Sequence, residues 1–229
     1  MMSNIVKNNY INKNWFYVLD ENSPSTIDVL DFVYAIIFVK DLSRPFTINL
    51  QANSKLDFYW YFYEFCSPKI LFNQLYDNSV LNVKLMYFCD KNDLNSNVKS
   101  YINSNNSSSN IEILNILKDS KLTIDSLIEM EKWSKSLDWQ LNQNNIFVWE
   151  NAKIRWLPKL FVKTNDIKAS HSCKIHKINE NQIFYLTSRW ISKSLAKNIL
   201  LKSYFQSNFK CLQALDKTLF EDLEKSFDL

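Results

Sequence analysis

The chain contains no glycine in 229 residues, although average usage would place on the order of sixteen in a chain this long. Every tight turn must therefore be made by a residue with a Cβ, and asparagine is the side chain other than glycine that best tolerates positive φ. The absence also excludes site types that need glycine where backbone turns sharply or approaches a ligand. A P-loop, a dinucleotide-binding fingerprint, a G-x-S-x-G nucleophile elbow and an EF-hand loop cannot be present in standard form.

The missing residue also describes the gene. There are 28 Asn but only six Ala and three Arg (Arg44, Arg155, Arg189), the signature of an extremely AT-rich coding sequence. Seven tryptophans contradict this under the standard code, and the contradiction disappears if TGA is read as Trp. The expected origin is a protist-like organellar genome, and the expected location is a mitochondrion, peripheral to the inner membrane. An AT-rich nuclear gene is the alternative.

The remaining composition is globular. Hydrophobic residues make up 46% and charged residues 22%, enough for one large core. The net charge of +3 is too balanced for a protein devoted to phosphate neutralisation, so nucleic acid is not the expected partner. The most apolar run, from Ile27 to Val39, contains Asp28 and Asp31 and is too short to cross a bilayer. The start has neither an apolar h-region nor an arginine, so it is not read as a secretory signal. Cys66, Cys89, Cys173 and Cys211 are widely spaced and are expected as free thiols.

Periodicity gives a mixed reading. Trp15–Leu19, Leu56–Phe65 and Val80–Cys89 read as strands, the second apolar on both alternating faces and so central in a sheet. Ile27–Lys40 reads as a helix with a strand nearly as well supported. Ile70–Tyr76, Ile111–Leu117 and Leu122–Leu141 read as helices, the last with Leu127, Met130, Ser134, Leu137 and Leu141 near one face. Asn92–Asn110 reads as a polar loop, Ile146–Trp149, Leu160–Val162 and Ile183–Leu186 as short strands, and Ile191–Phe205 and Leu212–Phe227 as helices. No internal repeat emerges.

Three pieces then align: a buried strand ending in Phe65-Cys66-Ser67-Pro68-Lys69, a following strand over Val80–Cys89, and Trp156-Leu157-Pro158-Lys159 ahead of another strand. Their order resembles the thioredoxin fold, in which a strand delivers a C-x-P-C type motif to a helix and a cis-proline precedes the next strand. The long connection before Pro158 resembles the DsbA and kappa-class glutathione transferase branch. The resemblance implies an α/β fold with a thioredoxin-like central sheet and flanking helices. It divides the chain into an N-terminal extension (1–49), a core (50–95 and 147–205), an inserted helical subdomain (96–146) and a C-terminal helix (206–229).

Lys69 stands where the second cysteine of that motif belongs, so dithiol exchange is unavailable. A residual site would use Cys66, Lys69 and Pro158, but a relic with Cys66 as a buried hydrophobe is the expectation. His171, Cys173 and His176 are metal-capable, yet no second cluster completes a tetrahedral site. A solvated loop is expected there, and no metal or cofactor. Lys193, Lys197 and Lys202 form a solvated face. The expected function is that of a non-catalytic accessory subunit of a mitochondrial respiratory-chain complex, partnered by its other subunits. A mitochondrial ribosomal protein and a monothiol oxidoreductase or glutathione transferase using Cys66 are the alternatives.

Overall fold

The computed structural model describes residues 4–40, 42, 44–62, 69–91, 93–148 and 151–225. Its first three-quarters is a flattened parallel β-solenoid. Fifteen strands follow one another: β1 (Asn4–Ile5), β2 (Tyr10–Ile11), β3 (Trp15–Leu19), β4 (Thr26–Val29), β5 (Tyr34–Val39), β6 (Phe46–Leu50), β7 (Lys55–Phe62), β8 (Lys69–Gln74), β9 (Val80–Asp90), β10 (Leu94–Ile102), β11 (Ser108–Lys118), β12 (Lys121–Met130), β13 (Leu137–Phe147), β14 (Lys153–Val162) and β15 (Ile167–Lys177). Odd-numbered strands build one sheet and even-numbered strands the other, each in chain order. Every pairing is parallel, so each strand is separated from its neighbour by a passage through the opposite sheet.

The pleat sends every second side chain inward, and the sequence fits this two-residue period. On β12, Leu122, Ile124, Ser126, Ile128 and Met130 are buried while the residues between them are not. Inward residues of both sheets merge into one core. Its early coils are aromatic: Phe58 packs edge-on to Phe72 with ring centroids 5.2 Å apart, and Phe62 stacks on Tyr87 at 4.4 Å.

The corners show how a chain without glycine turns. Phe32, Asn53, Asn78, Asn106 and Ser136 all have φ between 53° and 61° and occupy the same corner in successive coils. The amide of Phe32 donates to Ala52 O, that of Asn53 to Asp77 O, that of Asn78 to Asn105 O and that of Asn106 to Lys135 O, at 2.9–3.2 Å. Asn78 Nδ2 also donates to Asn53 Oδ1 at 3.0 Å. Lys91 and Asp119 form a similar pair of left-handed residues at the other corner. Asparagine supplies three of these positions, as expected, and the rest are taken by side chains that suffer more strain there.

Three helices follow the last strand: α1 (Glu180–Thr187), α2 (Lys193–Leu215) and α3 (Lys217–Lys225). Asn179 and Ser192 cap the first two, accepting from Asn181 N and Leu195 N. Leu201, Phe205, Phe209 and Leu212 of α2 lie on the outer face of the odd-numbered sheet, against Phe38, Tyr61, Met86, Phe88 and Ile116. Phe209 sits at a kink (φ −109°, ψ 19°) and contacts Phe38, Tyr59, Tyr61 and Phe205. This second layer explains why the segment read as a doubly buried strand, now β7, is apolar on both faces.

The thioredoxin-like α/β expectation is overturned. The next described element after β7 is not a helix but strand β8, which Lys69 opens and on which it stands exposed. Cys66, with residues 63–68, lies outside the described residues. Pro158 does not precede a strand; it lies within β14, in register with Ser126, and the described residues contain no cis peptide bond. Residues 96–146, expected as a helical insertion, belong to β10, β11, β12 and β13 and their turns. The helix expected over 27–40 is the pair β4 and β5, the helix over 70–76 is β8, the loop over 92–110 is mostly β10, and the strand over 183–186 is part of α1.

Phe32 is 76% exposed at φ 61°, so Phe32→Gly removes strain while losing little burial. Urea unfolding should show a gain of about 1 kcal/mol. Phe209→Ala should cost about 3–5 kcal/mol by the same measurement, because it empties the centre of the aromatic contact between α2 and the sheet.

Candidate functional site

The solenoid ends without a cover. β14 and β15 are the last strands of their sheets and are paired on one side only, which leaves two rows of backbone donors and acceptors open. Ile175 on β15 and Phe161 on β14 are exposed. Across the β12–β14 pair, Lys159 reaches Asp125 of β12, and Lys163, just past β14, pairs with Glu129 at 2.7 Å and Glu131 at 3.0 Å.

The interior changes character toward this end. Beside Trp139, Leu141 and Met130, the later coils carry Ser96, Ser100, Ser109, Asn115, Ser126, Gln143 and Asn145, all buried. Trp156 Nε1 reaches back from β14 to Ser126 Oγ at 3.1 Å. Three amides form a connected group. Asn115 Nδ2 and Gln143 Nε2 both donate to Asn145 Oδ1, at 2.6 and 2.8 Å. Asn145 Nδ2 in turn donates to Lys174 O at 3.0 Å and to Cys173 Sγ at 3.3 Å. The outer oxygens of Asn115 and Gln143 are buried and have no protein donor.

Register explains this convergence. Gln143 pairs with Cys173 and Leu141 with His171, so on β15 His171 and Cys173 share the inward-facing parity. His176 pairs with Ile146 and has the opposite parity, so the three metal-capable residues do not converge. Among the described residues no group of three His, Cys, Asp or Glu is placed to hold a metal ion. The segment is not the solvated loop expected from sequence; it is the terminal strand. Burial pushes the Cys173 thiol up from its ordinary value and the Asn145 hydrogen bond pulls it back.

Elsewhere, Lys193 and Lys197 line, with Lys118, Val148 and Leu201, a cleft of about 470 Å³ beside the start of α2. Tyr59, half-covered by α2, is pushed up by burial and by its hydrogen bond to Cys211. Tyr34 is pushed up to about 12 by burial and its bond to Asp57. No described helix is long and apolar enough to cross a membrane.

A family model described as SUF system FeS cluster assembly, SufBD core domain, matches residues 68–204, more than half of the chain and all of the open end. The chain belongs to the SufBD core-domain family. The chain is also similar to the iron-sulfur cluster assembly protein SufD of Escherichia coli (strain K12), 25% identical over 131 residues. The match takes in 56% of this chain and 31% of SufD, so the chain spans under a third of the length of that curated relative. Membership in the SufBD family overturns the respiratory-chain, ribosomal and thioredoxin-type expectations together, since the process it points to is iron–sulfur cluster assembly.

The edge of β14 supplies a test of its electrostatics. The Lys163 hydrogen bond holds the Glu131 carboxyl below the usual carboxylate range, helped by the Tyr101 hydroxyl at 3.1 Å. A depressed carboxylate stabilises the fold above its ordinary pKa and loses that contribution as pH falls through the folded value. In Lys163→Met, the Glu131 titration followed by carbon NMR should move upward toward the ordinary value, and acid unfolding should begin at higher pH.

Proposed function

We propose that this chain is a scaffold subunit of an iron–sulfur cluster assembly system of the SUF type, with no active site of its own. The observation that carries the reading is the SufBD-core match over residues 68–204, which contains every strand from β8 to β15. Iron and sulfide are cargo in this reading. The chain contributes a rigid platform whose open end offers two unpaired strand edges, a polar interior and one accessible thiol, Cys173.

Unpaired parallel edges of 10 and 11 residues are templates for strand addition, which favours a second solenoid subunit of the same system as the immediate partner. The name of SufD, a cluster assembly protein, supports the same process without specifying this chain's share in it. The codon signature supports a location in an organelle with its own genome, and the tryptophan count favours a mitochondrion.

Co-expression with the other components of a SUF system, followed by affinity purification through this chain, tests the reading. A stable complex is expected. Ile175→Lys, which places a charge on the exposed terminal strand without touching the core, should abolish co-purification while leaving the thermal midpoint unchanged. A chain that purifies alone under these conditions overturns the proposal.

A further inference from the structure

The open end is marked by charge as well as by unpaired backbone. Residues 152–179, which contain β14 and β15, hold seven Lys or Arg and a single Asp, whereas residues 1–151 hold 13 Lys or Arg against 17 Asp or Glu. Within the two terminal strands the charged side chains are Lys153, Arg155, Lys159, Lys168, Lys174 and Lys177, and neither strand contains an Asp or Glu. Lys159 is answered by Asp125 inside the chain. Lys153, Arg155, Lys168 and Lys174 are exposed and form no ion pair among the described residues, although Asp138 of β13 stands in register with Lys168.

Charge has a specific consequence at a strand edge. Side chains directly opposite on paired strands approach to about 5 Å, and like charges there are destabilising. A second copy brought edge to edge meets a basic or an uncharged side chain in every register, because neither terminal strand has an acid to offer. In the antiparallel two-fold register centred on His171, Lys168 of each copy would face Lys174 of the other. A head-to-tail stack is no better, since the opposite end of the solenoid presents β1 and β2, two residues each, to edges of 10 and 11 residues. Lysine on an open edge guards it against indiscriminate pairing.

We infer that the open end is a charge-selected docking edge, which refuses a second copy of this chain and takes a different chain whose edge strands carry Asp or Glu opposite Lys168 and Lys174. The inference rests on the reading that a second solenoid subunit adds to these edges, and it gives that partner its chemistry. A strand suits the surface better than a phosphate backbone does. The rows of open amides and carbonyls and the exposed Phe161 and Ile175 are met by backbone pairing and apolar contact.

Sedimentation velocity tests this with the chain against itself. Lys168→Glu combined with Lys174→Glu reverses two exposed charges and touches no buried residue, so the thermal midpoint should stay unchanged. At low ionic strength the unsubstituted chain alone should run as a monomer. With a fluorophore on the unsubstituted chain only, adding the double Glu variant should move the label into a dimer, at least about tenfold tighter than self-association and lost at high ionic strength. Lys168→Gln with Lys174→Gln, which only removes charge, should act in the same direction by a smaller factor. A dimer of the unsubstituted chain, or a label that stays monomeric with both folded variants, overturns the inference. So does a mixed-sequence RNA oligonucleotide that the unsubstituted chain binds and the Glu variant does not. Where a SUF component co-purifies, high salt should release it and the Glu pair should prevent its capture; capture indifferent to both overturns the charge selection and leaves the assembly reading standing. The sedimentation arms need no SUF component, so failure of the assembly reading is seen separately.

Discussion

The structure depends on the hydrogen-bond ladder that joins each coil to the next. Parallel strands cannot be closed by a tight hairpin, so each coil must cross to the opposite sheet and return in register. The return is fixed by the left-handed residues at the corner, whose amides point along the solenoid axis and are taken up by the next coil. A single left-handed residue with a Cβ costs about 1–2 kcal/mol. The cost is tolerated because Phe32, Asn53, Asn78, Lys91 and Asn106 each supply one rung to the next coil, and their neighbours in the stack require the same geometry.

The strand content was only partly legible. Trp15–Leu19 and Val80–Cys89 announce themselves through β-branched and aromatic residues, and they are β3 and nearly all of β9. Leu122–Leu141 was misleading because it joins two strands across a turn. Met130 and Leu137 fall at helical spacing only because residues 131–136 turn the corner between β12 and β13, whereas inside β12 the two-residue alternation is complete. Asparagine and serine in 92–110 suggest a loop by composition, yet Asn95, Asn97 and Lys99 are the outward residues of β10, and Ser96 and Ser100 face a core that is itself polar.

The repeat was hidden for a geometric reason. Register partners lie 13 residues apart for Asn4 and Tyr17, 20 for Trp15 and Ala35, 25 for Lys55 and Val80, and 30 for Leu137 and Ile167. A solenoid whose coils lengthen has no fixed period to detect. The thioredoxin resemblance failed on related ground, because short strand and proline signals carry no information about which sheet a strand joins. Pro158 was taken as the boundary before a strand, but its place in β14 is on the terminal edge, where a missing amide is tolerated. Of the candidate site, the sequence marked His171, Cys173 and His176 by residue type. It could not show that register turns Cys173 inward, toward Gln143 and Asn145, while His176 has the opposite parity.

The interior gradient ties these observations to function. Aromatic side chains fill the early coils, where stacked neighbours on both sides exclude water and a polar group would have to be satisfied within the protein. Amides and hydroxyls enter the interior as early as Gln74 on β8, and in the last coils Asn115, Gln143 and Asn145 are linked into a group that ends on Cys173 Sγ. A uniform solenoid would have one end much like the other. Here the end with the linked amides is also the one with two open edges of 10 and 11 residues, so the lengthening of the strands that conceals the repeat in the sequence also sets this end apart from the short strands of the first coil.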